Sequence, residues 1–260
     1  IDELAAQKYV SWMDFPDGTT WNIPSIGDLD ASDYVEDTAI EYTPMDVGNF
    51  TFSITEYKQS ATYITNKQRQ DSYYSAMLEA MFVPKEQRAI SVALETDILE
   101  QGQPGTPNGQ TAGNANVING ADHRWVGADL INSVRTIGVK DFAKARYSLK
   151  KANVPDQNLI AIVDPSVEYH LGTLTGLVDF TYNPKWEGIV ETGIATGMRF
   201  TRNLFGFDVY ESNYLPTIAA SETINTVASG ANAKANLFFS AAPGMEKPWV
   251  GSMRQMPKVD

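Results

Sequence analysis

The 260-residue chain contains no cysteine and only two histidines, His123 and His170. Without cysteine it can form neither disulfides nor thiolate metal sites. No HExxH, GxSxG or phosphate-loop motif is present, and Asp122 beside His123 has no nucleophile at a known spacing. We therefore expect no catalytic site, no cofactor and no metal. The scattered carboxylates leave a carboxylate-based hydrolase as the enzyme alternative.

The chain also lacks long apolar runs and an excess of basic charge. No apolar run reaches the length of a membrane span, so no membrane partner is expected. The formal net charge is −12, whereas gripping nucleic acid over a broad surface needs clustered Lys and Arg. A hydrophobic content of 43% is ordinary for a globular protein of one large domain or two closely joined ones.

One segment has no basic residue at all. Residues 27–49 carry seven carboxylates and no Lys or Arg: Asp28, Asp30, Asp33, Glu36, Asp37, Glu41 and Asp46. Little in this segment can build a core, so it is either a solvated acidic loop or an arm that lies on a neighbouring subunit. The stretches on either side, 19–26 and 49–64, read as strands that pair with each other.

The longest helical pattern spans residues 71–102. Its apolar residues recur at the i, i+3, i+4 spacing of an amphipathic helix: Tyr73, Ala76, Met77, Ala80, Met81, Ile90, Ala93, Leu94 and Ile98. Asp71 and Ser72 are candidate N-caps, and Gly102 is a candidate C-cap. Pro84 would kink one long helix or begin a second one. A single bent helix of this length would extend about 45 Å.

The second half of the chain reads as a mixture of helices and strands. A long Gly- and Asn-rich loop at 103–120 precedes two predicted helices at 122–137 and 141–152. The second helix has a basic face made of Lys144, Arg146, Lys150 and Lys151. The apolar run at 159–163 suits a strand buried on both faces. A short helix at 167–171, strands at 199–204, 207–211 and 237–240, and an exposed connection at 218–235 complete the pattern.

The order and spacing of these pieces resemble the major capsid proteins of tailed bacteriophages. These proteins have the Hong Kong 97-type fold, which encapsulin shells also use. The resemblance is carried by motifs taken in order along most of the chain: TTWNIPSIG, NFTFSITEYKQSATYI, SAMLEAMFVPKEQRAISVALETDILEQG, LIAIVDPSVEYHL and GFDVYESNYLP.

The resemblance implies an α+β fold with a long spine helix, an extended β-hairpin loop (E-loop), and peripheral and axial domains. The implied division is an N-terminal arm at 1–18, the E-loop and its strands at 19–64, and a peripheral domain at 65–135 with the spine helix at 71–101. The axial domain would follow at 136–235, and residues 236–260 would return to the peripheral domain.

The resemblance also implies the function. Copies of the chain would form hexamers and pentamers of an icosahedral shell that encloses double-stranded DNA without reading its sequence. Portal and possible scaffold or decoration proteins would be further partners, and the protein would be found in the virion after assembly in the host cytoplasm. An encapsulin-like compartment is the alternative within the same fold. Residues 19–57 contain no Lys, so the isopeptide bonds of the type member are not expected.

Charge suggests which side chains meet between subunits. The acidic candidates are Asp28, Asp30, Asp33, Glu36, Asp37 and Glu41. The basic candidates are Lys85 and Arg88 on the spine, and Lys144, Arg146, Lys150 and Lys151 on the following helix. Exposed pairs of this kind contribute about 0–1 kcal/mol each, so they would set register more than strength.

Overall fold

The structure is a computed structural model of the chain. It describes residues 4–14, 18, 20–26, 31, 33–34, 36–37, 47–54, 56–63, 65–71, 75–101, 117–118, 121–131, 134–173, 203–218, 223–224, 227–228, 233–244 and 247–253. The chain divides into two units, one of residues 1–11 and 60–250 and the other of residues 12–59 and 251–260. The domain boundaries suggested by the resemblance stay a prediction.

The described helices are a 3-10 helix at Ala6–Tyr9 and the α-helices α1 (Asn66–Asp71), α2 (Ser75–Glu100), α3 (Val139–Lys151) and α4 (Pro165–Thr173). The described strands are β1 (Val10–Met13), β2 (Thr20–Ile26), β3 (Val47–Ser53), β4 (Val117–Ile118), β5 (Ala121–Asp122), β6 (Asp129–Ile131), β7 (Val134–Thr136), β8 (Leu159–Val163), β9 (Asn203–Leu204), β10 (Phe207–Glu211), β11 (Thr217–Ile218), β12 (Thr223–Ile224), β13 (Val227–Ala228), β14 (Ala233–Lys234), β15 (Leu237–Ser240) and β16 (Trp249–Ser252).

The larger unit is built around a four-stranded sheet in the order β15-β8-β10-β9. β8 and β10 run parallel, while β15 and β9 are antiparallel to their neighbours. All five residues of β8 are buried, which confirms the prediction of a strand covered on both faces. Ile160 and Ile162 belong to one core cluster and Leu159, Ala161 and Val163 to the other, as the period of two along a strand requires.

The long helix α2 runs without interruption from Ser75 to Glu100 and contains Pro84 in its interior. The alternative of two helices meeting at Pro84 is therefore wrong. Asp71, suggested as the N-cap of the spine, is instead the last residue of α1. Ser72 and Gly102 lie outside the described residues.

Among the side chains of α2 that the structure describes, those that enter the core lie in its C-terminal half. Ile98 and Leu99 are buried in the same cluster as Ala5, Ala6 and Val10. The N-terminal 3-10 helix is fixed to α2 by the Glu95 carboxylate, which accepts hydrogen bonds from the backbone N–H groups of Ala6, at 2.8 Å, and Gln7, at 3.2 Å. Residues 5–10, predicted as part of the N-terminal arm, are thus tied to the core of this unit.

The prediction of a helix at 122–137 is wrong. The segment forms β5 and the antiparallel hairpin of β6 and β7, in which Ile131 pairs with Val134 and Asp129 with Thr136. Gly127 lies so close to the main chain of Thr136 that an added Cβ would collide with its carbonyl oxygen. The cross-strand pairs of this hairpin override the weak helical spacing of its apolar residues.

Three further segments differ in extent from the prediction. The strand expected at 49–64 ends at Ser53. The connection expected at 218–235 contains two short antiparallel ladders, one of β11 with β14 and one of β12 with β13. The helix expected at 167–171 begins at Pro165 and ends at Thr173.

In the smaller unit, β2 and β3 form an antiparallel ladder from the pair Thr20–Ser53 to the pair Ile26–Val47. The predicted pairing of these two stretches is confirmed. Pro24 lies inside β2, where its missing N–H is tolerated because a two-stranded ladder leaves one side of each strand unpaired.

Candidate functional site

The first half of α2 presents large apolar side chains to solvent. Met77 is 61% exposed, Met81 51% and Val83 38%. Met77 and Met81 are four residues apart and therefore lie on one face of the helix. An exposed cluster of apolar side chains marks a contact surface more often than a single exposed residue does. We call Met77 and Met81 the spine face. Lys85 and Arg88, two of the predicted contact residues, are exposed further along the same helix.

The acidic segment is described only in part. Asp33, Glu36 and Asp37 are exposed, and Asp37 has a left-handed backbone with φ of 62°. Between them Tyr34 is 80% exposed. Asp28, Asp30 and Glu41 lie outside the described residues. The described part is thus an exposed aromatic ring flanked by carboxylates.

The basic face predicted on α3 exists, but two of its members are paired within the chain. Arg146 donates from Nε and Nη2 to the two carboxylate oxygens of Asp156, at 3.1 and 2.7 Å. Lys150 Nζ lies 2.7 Å from the same carboxylate. The hydrogen bonds from Arg146 and then Lys150 lower the pKa of Asp156 to about 2. Asp156 was not singled out from the sequence, although the chain stop at Val154 and Pro155 folds it back towards α3.

The other two basic residues of α3 lie over aromatic rings. Lys144 Nζ is 5.2 Å from the ring centroid of Trp125, and Lys151 Nζ is 5.9 Å from that of Tyr147. Such contacts contribute about 0.5–1 kcal/mol at exposed sites. All four predicted basic residues of α3 therefore have contacts inside their own chain, which makes them weaker candidates for an acidic segment from elsewhere.

A cavity of about 460 Å³, which sequence reasoning missed, opens beside α3 in the larger unit. Its apolar wall includes Trp125, Leu149, Val167 and Phe238. The cationic side chains that line it are Arg124, Arg135 and Lys234, with the imidazole of His123, and no Asp or Glu is among the described residues of the lining. This composition suits an apolar or aromatic group that carries negative charge.

The buried carboxylate of Asp141 holds one wall of this cavity in place. It accepts hydrogen bonds from Trp125 Nε1 at 3.1 Å, from the Ala128 N–H at 3.1 Å and from the Gly138 N–H at 3.0 Å. Gly138 is the N-cap residue of α3, so one side chain fixes both the helix start and the indole. The indole also stacks on Phe238, with 6.2 Å between the ring centroids.

Within the described ranges, no group of three or more His, Asp or Glu side chains is arranged to hold a metal ion. None of the helices in those ranges is both long enough and apolar enough to cross a lipid bilayer.

Comparison with solved structures identifies the fold. A chain in the capsid structure of the cyanophage P-SCSP1u matches with a TM-score of 0.57 and 13% sequence identity, over 89% of this chain and 71% of that one. A chain of Mycobacterium phage Che8 has a TM-score of 0.49 and 16% identity, over 77% of this chain and 64% of its own length. A chain in the asymmetric unit of the bacteriophage PhiM1 mature capsid has a TM-score of 0.49 and 13% identity, over 88% and 68%.

No protein-family model matches the chain. No curated protein matches it either. The helices and strands of the chain form an α+β fold, and the chain shares this fold with the cyanophage capsid chain. The resemblance to phage capsid proteins, drawn from the sequence motifs, is confirmed at the level of the fold.

Proposed function

We propose that the chain is the major capsid protein of a tailed bacteriophage, and that its copies assemble into the icosahedral head shell around double-stranded DNA. The observation that carries this proposal is the fold shared with the cyanophage capsid chain over 89% of the present chain. Because one fold can host several functions, the surfaces of the subunit must supply the rest of the argument.

In this proposal the parts take the roles of a Hong Kong 97-type subunit. α2 is the spine helix, and β2 and β3 with residues 27–46 between them are the E-loop. Residues 136–235 form the axial domain, and residues 65–135 and 236–260 the peripheral domain. The role is structural, without catalysis or a cofactor.

The spine face supports assembly through non-covalent contacts. Fully burying a methionine side chain contributes about 1.5–3 kcal/mol, and Met77 and Met81 are both more than half exposed in the single subunit. In a closed shell the same contact recurs in every copy, so small gains per subunit add up. Lys85 and Arg88 lie at the end of this surface, where charge orients a partner more than it strengthens the contact.

The acidic composition suits a container for DNA. A strongly basic shell would hold packaged DNA and oppose its release, whereas a chain with a formal net charge of −12 repels the phosphate backbone. Hexamers and pentamers of the chain, a portal, and scaffold or decoration proteins are the proposed partners, in a virion assembled in the host cytoplasm. No membrane contact is proposed.

Particle size tests the proposal. The full-length protein, expressed in a bacterial host, should sediment as closed particles of megadalton mass. A monomer or small oligomer at every concentration would overturn the proposal. Particles from a phage lysate should also protect double-stranded DNA from nuclease, whereas a retained enzyme cargo would favour the encapsulin-like compartment.

A further inference from the structure

The cavity beside α3 has the size and the walls of a site for a small molecule. Its volume of about 460 Å³ lies within the range of roughly 300–1,000 Å³ that is typical of ligand sites. Trp125 and Phe238 form part of its wall, together with aliphatic side chains such as Leu149 and Val167. Trp125 is fixed by a hydrogen bond from its Nε1 to the Asp141 carboxylate and by its stacking on Phe238. The wall therefore exists before an occupant arrives, and it favours an apolar or aromatic body.

The charged side chains of the lining are already engaged within the chain. Lys234 Nζ donates to a carbonyl at 3.1 Å and to a hydroxyl at 3.0 Å. Arg135 Nη1 donates to the Gly127 carbonyl at 3.4 Å. Arg124 and His123 have partners in the chain as well. Although the composition of the lining suits an anion, these contacts make charge a weak basis for choosing the occupant.

The hydroxyl of Ser148 is a more selective feature of the cavity. Ser148 is 6% exposed, and its Oγ has no hydrogen-bond partner among the residues that the structure describes. Ser148 lies on the face of α3 that lines the cavity, three residues after Ala145 and four before Ala152, which line it too. Native structures rarely keep a buried polar group without a partner. We therefore expect the occupant of the cavity to supply one.

We propose that the cavity binds a small uncharged aromatic molecule with a hydroxyl group, a phenol of one or two rings. The ring lies against the apolar wall, and the phenolic hydroxyl pairs with Ser148 Oγ, since a hydroxyl can both donate and accept a hydrogen bond. An uncharged molecule meets the buried hydroxyl without bringing a charge against the apolar wall, where it would lose hydration. The described residues of the lining all belong to the larger unit of one chain, so the inference does not depend on assembly.

The thermal stability of the protein without added ligand tests the unpaired hydroxyl. If Ser148 Oγ has no partner, Ser148→Ala removes no hydrogen bond and places a better helix former in α3. The Tm of the full-length protein should then stay the same or rise. A fall of more than about 3 °C would show that the hydroxyl already has a partner, such as water, and would overturn the inference.

Binding of a simple phenol tests the site itself. The probe is 4-ethylphenol, which is uncharged at neutral pH, and it is compared with ethylbenzene, which lacks the hydroxyl. Saturation-transfer NMR on the full-length protein should detect both, and Ser148→Ala should reduce the ratio of their affinities about tenfold, because it removes the pairing of the two hydroxyls. Ser166→Ala is the matched control. Ser166 lines the same cavity but donates its hydroxyl to Asp164 at 2.6 Å, so its loss should change the ratio less than about twofold.

Three results would overturn the inference. The first is no detectable binding of 4-ethylphenol at about 1 mM. The second is an affinity ratio that Ser148→Ala leaves unchanged, since the hydroxyl of the occupant would then lie elsewhere. The third is tighter binding of 4-ethylbenzoate than of 4-ethylphenol, which would contradict the choice of an uncharged molecule. None of these results bears on the shell function, which particle size tests separately.

Discussion

Glu95→Ala should weaken the attachment of the N-terminal 3-10 helix to α2. The Glu95 side chain is fully buried, and its carboxylate accepts the Ala6 N–H at 2.8 Å and the Gln7 N–H at 3.2 Å. Its removal leaves a buried N–H at Ala6 without a partner, at a cost of about 1–3 kcal/mol, and opens a void. The N–H of Gln7 is half-buried and can reach water, so it costs less.

The cost of burying the Glu95 carboxylate opposes this loss. Burial raises the pKa of Glu95 above its ordinary value, so the carboxylate itself is disfavoured in the fold, although the two N–H groups partly offset that effect. We therefore expect a net loss of about 2–4 kcal/mol in the free energy of unfolding. In a chain of this size that corresponds to a fall of about 5–15 °C in Tm. Urea denaturation of the unassembled subunit measures it, with exposed Glu100→Ala on the same helix as the control.

The raised pKa of Glu95 also predicts how the stability difference between wild type and Glu95→Ala changes with pH. Between pH 4.5, the ordinary pKa, and the raised pKa of Glu95, the folded state holds more protons than the unfolded state, so stability falls as pH rises. The advantage of the wild type over Glu95→Ala should therefore be largest below pH 4.5 and smaller near neutral pH. A difference within about 0.5 kcal/mol of that for Glu100→Ala, or one that grows towards neutral pH, would refute the reasoning.

Three further perturbations have expected outcomes. Gly127→Ala should lower the free energy of unfolding by about 1–3 kcal/mol, and Gly138→Ala should lower it less, because the first Cβ meets a main-chain oxygen and the second a movable carboxylate. Urea denaturation measures both losses, and the reverse ranking would contradict this reasoning. The double variant Met77→Lys, Met81→Lys should keep the free energy of unfolding of the subunit within about 0.5 kcal/mol of the wild type but abolish particles. The matched double change to Leu should keep the particles. Equal particle yields from the two variants would argue against a role of the spine face in assembly. Asp156 should lend stability above pH 3.8 that is lost as pH falls to about 2, so Asp156→Asn should show a flatter acid unfolding curve, and identical curves would contradict the pairing.

The elements that could be predicted from the sequence are those whose pattern is local. The apolar run of β8 has a single physical solution, a strand covered on both faces, and each of its five residues is buried. α3 was predicted within two residues of its observed bounds, because Asp141 lies in its first turn and Pro155 follows its end. The pairing of β2 with β3 followed from alternating apolar residues.

The parts that could not be predicted depend on contacts between distant residues. The β6–β7 hairpin is the exception, because its pairs lie only three to seven residues apart and the spacing of its apolar residues nonetheless favours a helix. Met77 and Met81 continue the apolar stripe of α2, and nothing local reveals that Ile98 is buried while they are exposed. The cavity needs α3, α4 and β15 to meet, and its basic lining is spread over more than a hundred residues of sequence.

The basic face of α3 shows the same limit for a site. The spacing of Lys144, Arg146 and Lys150 correctly indicated a charged surface, but the sequence could not reveal that Asp156 folds back to pair with two of them. A run of charge predicts a surface and leaves the partner open, since exposed side chains pair with whatever the tertiary fold brings near.

Electron cryomicroscopy of particles from the full-length protein tests the central claim most directly. The account predicts closed icosahedral shells in which this chain is the repeating subunit, with the first half of α2 and its Met77 and Met81 covered by neighbouring copies. Images that contain only single, separate molecules, or shells in which the spine face remains open to solvent, would contradict it.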